Sequence, residues 1–266
     1  MGRTTREGKL KMMFVFDLDG TLLNSKKEIP EANKKVLQKL HGAGHKIVIA
    51  TARPPRSIDS KIQQLGIPTD NIYYNGALVR CIDGTGFSNS IDNKVFSEVF
   101  RAVKDNDKAA VLSIEENDRW YSCSDFDFKT FYSVEEGPEI IAEEELLKKN
   151  PNKILINSYS ESEYLKERFF TTCNVVETDS KTLIQIMDKS ASKEKAVSEL
   201  SEKYKIQDIY CFGDDHNDIG MFKYCSYPVA MGNAIPELKA IAKFVTETND
   251  NDGVAKFLID KIDCFG

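Results

Sequence analysis

The chain has 266 residues, with 36 Lys plus Arg against 42 Asp plus Glu and a formal net charge of −6. That length exceeds the usual single-domain size and allows one large domain, or two of unequal size, around a substantial core. The acidic balance without a long basic run argues against a nucleic-acid partner, and no apolar stretch is long enough to span a bilayer, so no membrane association is expected.

In chain order, the first predicted element is Phe14-Val-Phe-Asp-Leu-Asp-Gly-Thr21, an apolar strand that carries Asp17 and Asp19 to a point where Gly20 breaks it. Alternation puts both carboxylates on one face, and glycine lets the chain turn away without a side-chain clash. Two acids at such range repel unless a cation sits between them or one holds a proton, so the pair suggests Mg²⁺ and acid/base chemistry together. Ala32, Val36, Leu37 and Leu40 then mark one face of a helix ended by Gly42 and Gly44. The following apolar strand, Lys46 to Ala50, ends in the hydroxyl of Thr51 and completes a βαβ unit. Pro54 and Pro55 suit the first turn of a helix reaching about Leu65, after which Asn71 to Tyr74 reads as a strand. Apolar runs without strict alternation imply a parallel sheet covered on both faces. Ligands bind beyond the carboxyl ends of such strands, where Asp17, Thr51 and Asp214 all fall.

Spacing locates a second domain. Asp17 and Thr51 are 34 positions apart, enough for one turn, helix and strand, whereas Thr51 and Lys193 are 142 apart. An insert is therefore expected over 83–187, leaving 1–82 and 188–266 as the core. Its predicted strands are Ala109 to Ile114, Arg119 to Tyr121, Lys153 to Asn157, Asn174 to Glu177 and Thr182 to Ile186. Its predicted helices are Asn93 to Lys104 and Ser160 to Phe170, which makes a small α+β domain. Arg119, Trp120 and Tyr121 read either as a sugar-binding patch or as a strand with its aromatic face inward, and Asp125 to Phe131 raises the same choice. Glu135, Glu136 and Glu143 to Glu145 read as solvated faces.

After the insert, Ser190 and Ser192 are candidate N-caps for an apolar-periodic helix running from Lys193 to about Tyr204. Ile209-Tyr-Cys-Phe-Gly-Asp-Asp-His-Asn-Asp218 is another short apolar strand, ending in Gly213 and a burst of acids that again suits a hard cation. Taken with Asp17, Asp19, Thr51 and Lys193, this order resembles the four motifs of the haloacid dehalogenase superfamily of phosphohydrolases. Tyr74-Asn-Gly-Ala77 and Val229-Ala-Met-Gly-Asn-Ala234 are similar to two further signatures of its Cof-type (subfamily IIB) sugar-phosphatase branch.

The resemblance implies a Rossmann-like α/β core of three layers with an inserted α+β cap of the C2 type. It implies Asp17 as the nucleophile that becomes an aspartyl phosphate and Asp19 as the acid/base, a carboxylate the phosphatases have at that position and the dehalogenases lack. Thr51, Lys193, Asn217 and the backbone amides of Leu18 and Ala52 would hold the phosphoryl oxygens, aided by the N-terminus of the following helix. Mg²⁺ would be held by Asp17, the Asp19 carbonyl and Asp214, with Asp215 and Asp218 orienting its waters. Arg53 is open to two readings, a partner for a surface carboxylate or a substrate contact, and Asn75 is a candidate substrate contact with it. His216 reads as a solvent or packing residue, and Asn233 as a brace for the acidic loop.

The function implied is a Mg²⁺-dependent phosphatase of a small phosphorylated metabolite, a sugar phosphate first. The alternatives are a phosphomutase, whose relatives place a helical cap in the first gap, too short here, and a noncatalytic sensor, which needs no nucleophile. No early segment combines a charged start, an apolar run and a cleavage site, so a soluble, cytoplasmic protein is expected, a monomer or weak homodimer. Arg6 stands where a myristoylation signal wants a hydroxyl, and Cys264 is one residue too close to the end for prenylation. Cys81, Cys123, Cys173, Cys211, Cys225 and Cys264 form no Cys-x-x-Cys pair, and reduced, mostly buried thiols are expected.

Overall fold

The computed structural model describes residues 11–132, 136–178 and 183–261. Glu135, the Thr182 end of one predicted strand, Cys264 and residues 1–6 lie outside them. The chain forms two compact units, one of Met1–Asn75, Arg80–Thr85 and Ser192–Gly266, the other of Gly76–Val79 and Gly86–Ala191.

The first unit is built on a parallel sheet. From one edge the first six of the sheet's eight strands run Phe244–Val245, Tyr227–Ala230, Ile209–Gly213, Met13–Asp17, Lys46–Ala50 and Asp70–Tyr73. All five neighbouring pairs are parallel. Every residue of Met13–Asp17 is buried, as a central strand covered on both faces requires. Its register sets Phe14 beside Tyr210 and Phe16 beside Phe212, and both pairs stack, with centroids 5.2 and 4.9 Å apart. The Glu31–Gly42 helix buries Val36, Leu37 and Leu40. Its buried Asn33 donates to the Leu22 carbonyl and accepts from the Ala255 amide, tying that helix to the turn after the first strand and to the Gly253–Ile259 helix.

The helix expected from Pro54 to Leu65 is broken. A 3₁₀ turn at Pro55–Ser57, a single α turn at Asp59–Ile62 and a second 3₁₀ turn at Gln63–Leu65 replace it, because Ile58 leaves helical geometry at φ −138°. Pieces of three or four residues align few peptide dipoles, so the expected contribution of a helix N-terminus to anion binding is small here. The next strand ends at Tyr73, one residue earlier than expected, since Tyr74 turns into left-handed space at φ 51°.

The second unit contains a six-stranded sheet in the order Cys173–Thr178, Leu183–Asp188, Lys153–Asn157, Val111–Glu116, Arg119–Ser122, Glu139–Ile140. Neighbours are antiparallel except for the last pair. The strand expected from Ala109 begins at Val111, because the Ala109 and Ala110 amides are taken by the Asp107 side chain and carbonyl. Asp92 caps the Asn93–Asn106 helix, whose Phe96, Val99 and Val103 join Leu112, Ile114, Ile154 and Ile156 in one apolar cluster. The helix expected over Ser160 to Phe170 is shorter, Ser162–Arg168. Trp120 and Tyr121 are buried in two different clusters, Trp120 against Phe126, Phe128 and Tyr132, so the aromatic run is packing and not an exposed patch. Glu143–Glu145 are exposed on a short helix that buries only Leu146. Among the described residues no helix is long and apolar enough to cross a membrane, and the described cysteines are free.

Candidate active site

Asp17 is the last residue of the central strand and is 5% exposed. Beyond it the chain closes on itself: the Leu22 amide donates to the Asp17 carbonyl and the Leu23 amide to the Leu18 carbonyl. Gly20 makes the turn at φ +79°, and a Cβ there would lie 2.1 Å from Asp214 Oδ2, so both backbone and space demand glycine. Asp214 accepts a 2.9 Å bond from the Thr21 hydroxyl. Asn233 donates to the Gly20 carbonyl at 2.8 Å and accepts from the Asn249 amide, bracing the same turn.

Lys193 opens the Lys193–Tyr204 helix, fixed in place by Ser192, whose hydroxyl accepts from the Lys195 amide. Its ammonium is 2.5 Å from Asp17 Oδ1 and 2.8 Å from Asp218 Oδ1. The other Asp218 oxygen accepts from the Asp214 and Asp215 amides, which rigidifies the acidic loop. Ligand oxygens of Asp17, Asp214 and Asp218 lie within 4.8 Å of one another. Burial pushes the Asp17 carboxyl well above its ordinary value; Lys193 opposes that, while Asp218 and Asp214 reinforce it. Burial likewise raises Asp214, to about 6, against the Thr21 hydrogen bond. Burial would depress Lys193, but Asp17 and Asp218 outweigh it and hold the ammonium charged. Three carboxylates against one ammonium leave an excess of negative charge on hard oxygen donors, a set that fits a divalent cation such as Mg²⁺.

Asp19 points into a different pairing. Arg53 grips it with two nitrogens, Nε at 2.6 Å and Nη2 at 2.7 Å, and Lys27 Nζ adds a third contact at 2.9 Å. Burial would raise Asp19, but these hydrogen bonds and charges win and hold its carboxyl below the ordinary value. Thr51 directly follows the Lys46–Ala50 strand, its hydroxyl accepting from the Arg53 amide at 3.1 Å. Leu18 is fully buried, and Ala52 lies between Thr51 and Arg53, half-buried.

Asn217 is exposed, and its amide nitrogen donates to Asn75 Oδ1 at 3.0 Å. Asp215 is exposed as well; with Asp218 it forms a capping box around the His216–Asp218 turn. His216 is exposed.

Residues 14–258 match the family model described as haloacid dehalogenase-like hydrolase. The chain belongs to that family. The 5-amino-6-(5-phospho-D-ribitylamino)uracil phosphatase YwtE of Bacillus subtilis (strain 168) is 30% identical, with 91% of this chain and 95% of that protein covered. YitU of the same organism, named for the same activity, is 28% identical, covering 92% and 96%. Among solved structures, a Thermotoga maritima protein superposes with a TM-score of 0.83 at 29% identity, covering 94% of this chain and 97% of its own. A subclass IIB sugar phosphatase of the superfamily reaches a TM-score of 0.77 at 27% identity, covering 94% and 98%. The Cof-type placement and the α/β core with an inserted domain therefore stand, and the chain is a phosphatase-type hydrolase.

Within this haloacid dehalogenase-like hydrolase, Asp17, Lys193, Asp214 and Asp218 come together at one point, while Asp19 and Arg53 pair beside it. Thr21 and Lys27 escape the sequence reading. Thr21 carries a usable signal, a hydroxyl directly after the turn glycine; Lys27 carries none, since nothing in the sequence marks a left-handed backbone at φ 61° or a contact with Asp19 eight residues before it.

Proposed function

We propose that the chain is a Mg²⁺-dependent phosphatase of a small phosphorylated metabolite, a sugar phosphate first, working through an aspartyl phosphate on Asp17. The observation that carries this reading is the buried Lys193 ammonium bridging Asp17 and Asp218 beside Asp214. A buried carboxylate surplus of this kind is costly for a structural core and useful for phosphoryl transfer.

Asp17 and Asp214, with the Asp19 carbonyl, would hold the cation, and Asp215 and Asp218 its surroundings. When bound, Mg²⁺ supplies positive charge that keeps Asp17 ionised and offsets charge on the phosphoryl oxygens. Asp17 Oδ attacks phosphorus as the ester bond breaks, and the leaving alkoxide takes a proton from Asp19. Asp19 then takes a proton from the water that attacks the aspartyl phosphate, releasing phosphate and restoring Asp17. Thr51, Lys193, Asn217 and the Leu18 and Ala52 amides hold the phosphoryl oxygens. Arg53 and Lys27 clamp Asp19 as a carboxylate. A phosphoryl group beside Arg53 competes for the same donors, and loosening that clamp lets Asp19 take up the proton it must deliver. Arg53 and Asn75 both lie on the loops that present these groups.

We assign the inserted unit the role of a C2-type cap that selects substrate, and place the protein in the cytoplasm as a monomer or weak homodimer. The relatives named for a phosphoribityl substrate put phosphorylated polyol chains beside sugar phosphates in the set to be tried. The test is phosphate release from sugar, polyol, nucleotide and flavin-type monophosphates, with Mg²⁺ or with chelator, for wild type and Asp17→Asn. Mg²⁺-dependent turnover lost in the variant supports the reading. Tight Mg²⁺-dependent binding of an ester with no turnover of any sinks it in favour of a sensor.

A further inference from the structure

Three successive residues, Tyr74, Asn75 and Gly76, have positive φ, at 51°, 54° and 103°. Glycine adopts that region freely and asparagine tolerates it, but a tyrosine there is strained by roughly 1 kcal/mol or more. Such strain persists only where surroundings over-determine it. Here the Asn75 amide donates to the Thr51 carbonyl at 2.9 Å, the Tyr74 amide donates to the Arg53 carbonyl at 3.3 Å, and the Tyr74 side chain is fully buried. The left-handed turn is thus bolted to the loop carrying Thr51 and Arg53.

What the turn presents is the Asn75 side chain, whose Oδ1 accepts from Asn217 Nδ2 at 3.0 Å. The backbone at Asn217 is already fixed by the capping box of Asp215 and Asp218. The remaining freedom is the swivel of its carboxamide. A carboxamide can offer an anion either its NH₂ or its oxygen, and the oxygen repels phosphate. An acceptor at Asn75 holds the NH₂ end, uses one N–H and leaves the second for a phosphoryl oxygen.

We infer that Asn75 is a positioning residue, which orients the Asn217 amide for phosphate and locks the Thr51–Arg53 loop to the acidic loop. This rests on the assignment of Asn217 to phosphate under the function proposed above, and it replaces direct substrate contact as the role of Asn75.

The test uses the full chain and four proteins: wild type, Asn75→Gly, Asn217→Ala and the double variant. Glycine keeps the left-handed backbone and removes only the side chain. Two readouts are taken with Mg²⁺ present, kcat and KM for p-nitrophenyl phosphate and calorimetric affinity for inorganic phosphate, the second independent of turnover. Loss of one oriented hydrogen bond predicts that Asn75→Gly raises KM and weakens phosphate binding by about fivefold to tenfold, with kcat changed by less than about threefold. Asn217→Ala should match it, and the double variant should add less than about twofold to either. Effects that multiply, or an unchanged KM and phosphate affinity in Asn75→Gly, overturn the inference. A wild type that binds phosphate but hydrolyses no ester overturns the phosphatase reading instead, and the affinity cycle still decides the role of Asn75.

Discussion

The two units both bury charged side chains in their sheets, yet they balance them differently. In the inserted unit Glu115 and Lys153 are buried opposite one another in register on adjacent strands, one carboxylate to one ammonium. Its buried Asn152 and Asn157 are likewise satisfied, by Ala77, Ser88 and Tyr132. In the core unit Asp17, Asp214 and Asp218 share a single Lys193 at the carboxyl ends of the strands. Balanced burial is architecture, whereas a surplus of one sign, held by a rigid loop and a glycine turn, marks a candidate functional site.

The contrast can be broken most severely at the proposed nucleophile, Asp17. Asp17→Asn should lower kcat by about a thousandfold or more while shifting stability by no more than about 1 kcal/mol, because it removes one member of a carboxylate surplus. Steady-state kinetics and urea melts check both halves, and a stable variant with residual turnover near wild type contradicts the assignment. Lys193→Met should remove activity and also destabilise the fold by about 3–5 kcal/mol, since the buried Asp17 and Asp218 lose the cation they share beside the half-buried Asp214. Saturating Mg²⁺ should recover part of that loss in the same melts. In the inserted unit, Ile156→Ala should cost about 2–4 kcal/mol through an apolar cavity. It should leave the stabilisation produced by Mg²⁺ unchanged, and a changed Mg²⁺ increment would tie the inserted unit to the cation.

The smallest effect is in pH. Asp214 is raised to about 6 from an ordinary 3.8. Between those values the unfolded chain has released a proton that the folded chain keeps. The contribution of this group to the stability of the metal-free protein is therefore full below pH 4 and falls as pH rises to 6, by up to about 3 kcal/mol. Urea melts in chelator across that window should show the slope, and Asp214→Asn should reduce it, leaving the part carried by Asp17, whose carboxyl burial also raises. Mg²⁺ should bind more weakly below pH 6, where the proton competes for the same oxygens.

The parts of this arrangement most legible in the sequence are those where chemistry confines the residue type. Asp17, Asp19, Thr51, Lys193 and Asp214 stand at strand or helix ends behind apolar runs, and those runs form the parallel sheet that the periodicity implies. The pairings were less legible because they depend on distant backbone geometry. Lys193 lies 176 positions from Asp17, and Arg53 lies 34 from Asp19 on a loop whose carbonyls accept from the Tyr74 and Asn75 amides. Proline at the start of a segment signals a helix, but nothing in Ile58 announces that the helix breaks there. Short edge strands such as Phe244–Val245 have too few residues to show any period.

The measurement that bears most directly on the central claim is acid-quench mass spectrometry during turnover of the best ester with Mg²⁺ present. The account predicts a phosphoryl adduct on the peptide containing Asp17, released by hydroxylamine as an acyl phosphate should be, and absent from Asp17→Asn. Rapid hydrolysis with no adduct under quench conditions that preserve acyl phosphates, or an adduct on another residue, would contradict it.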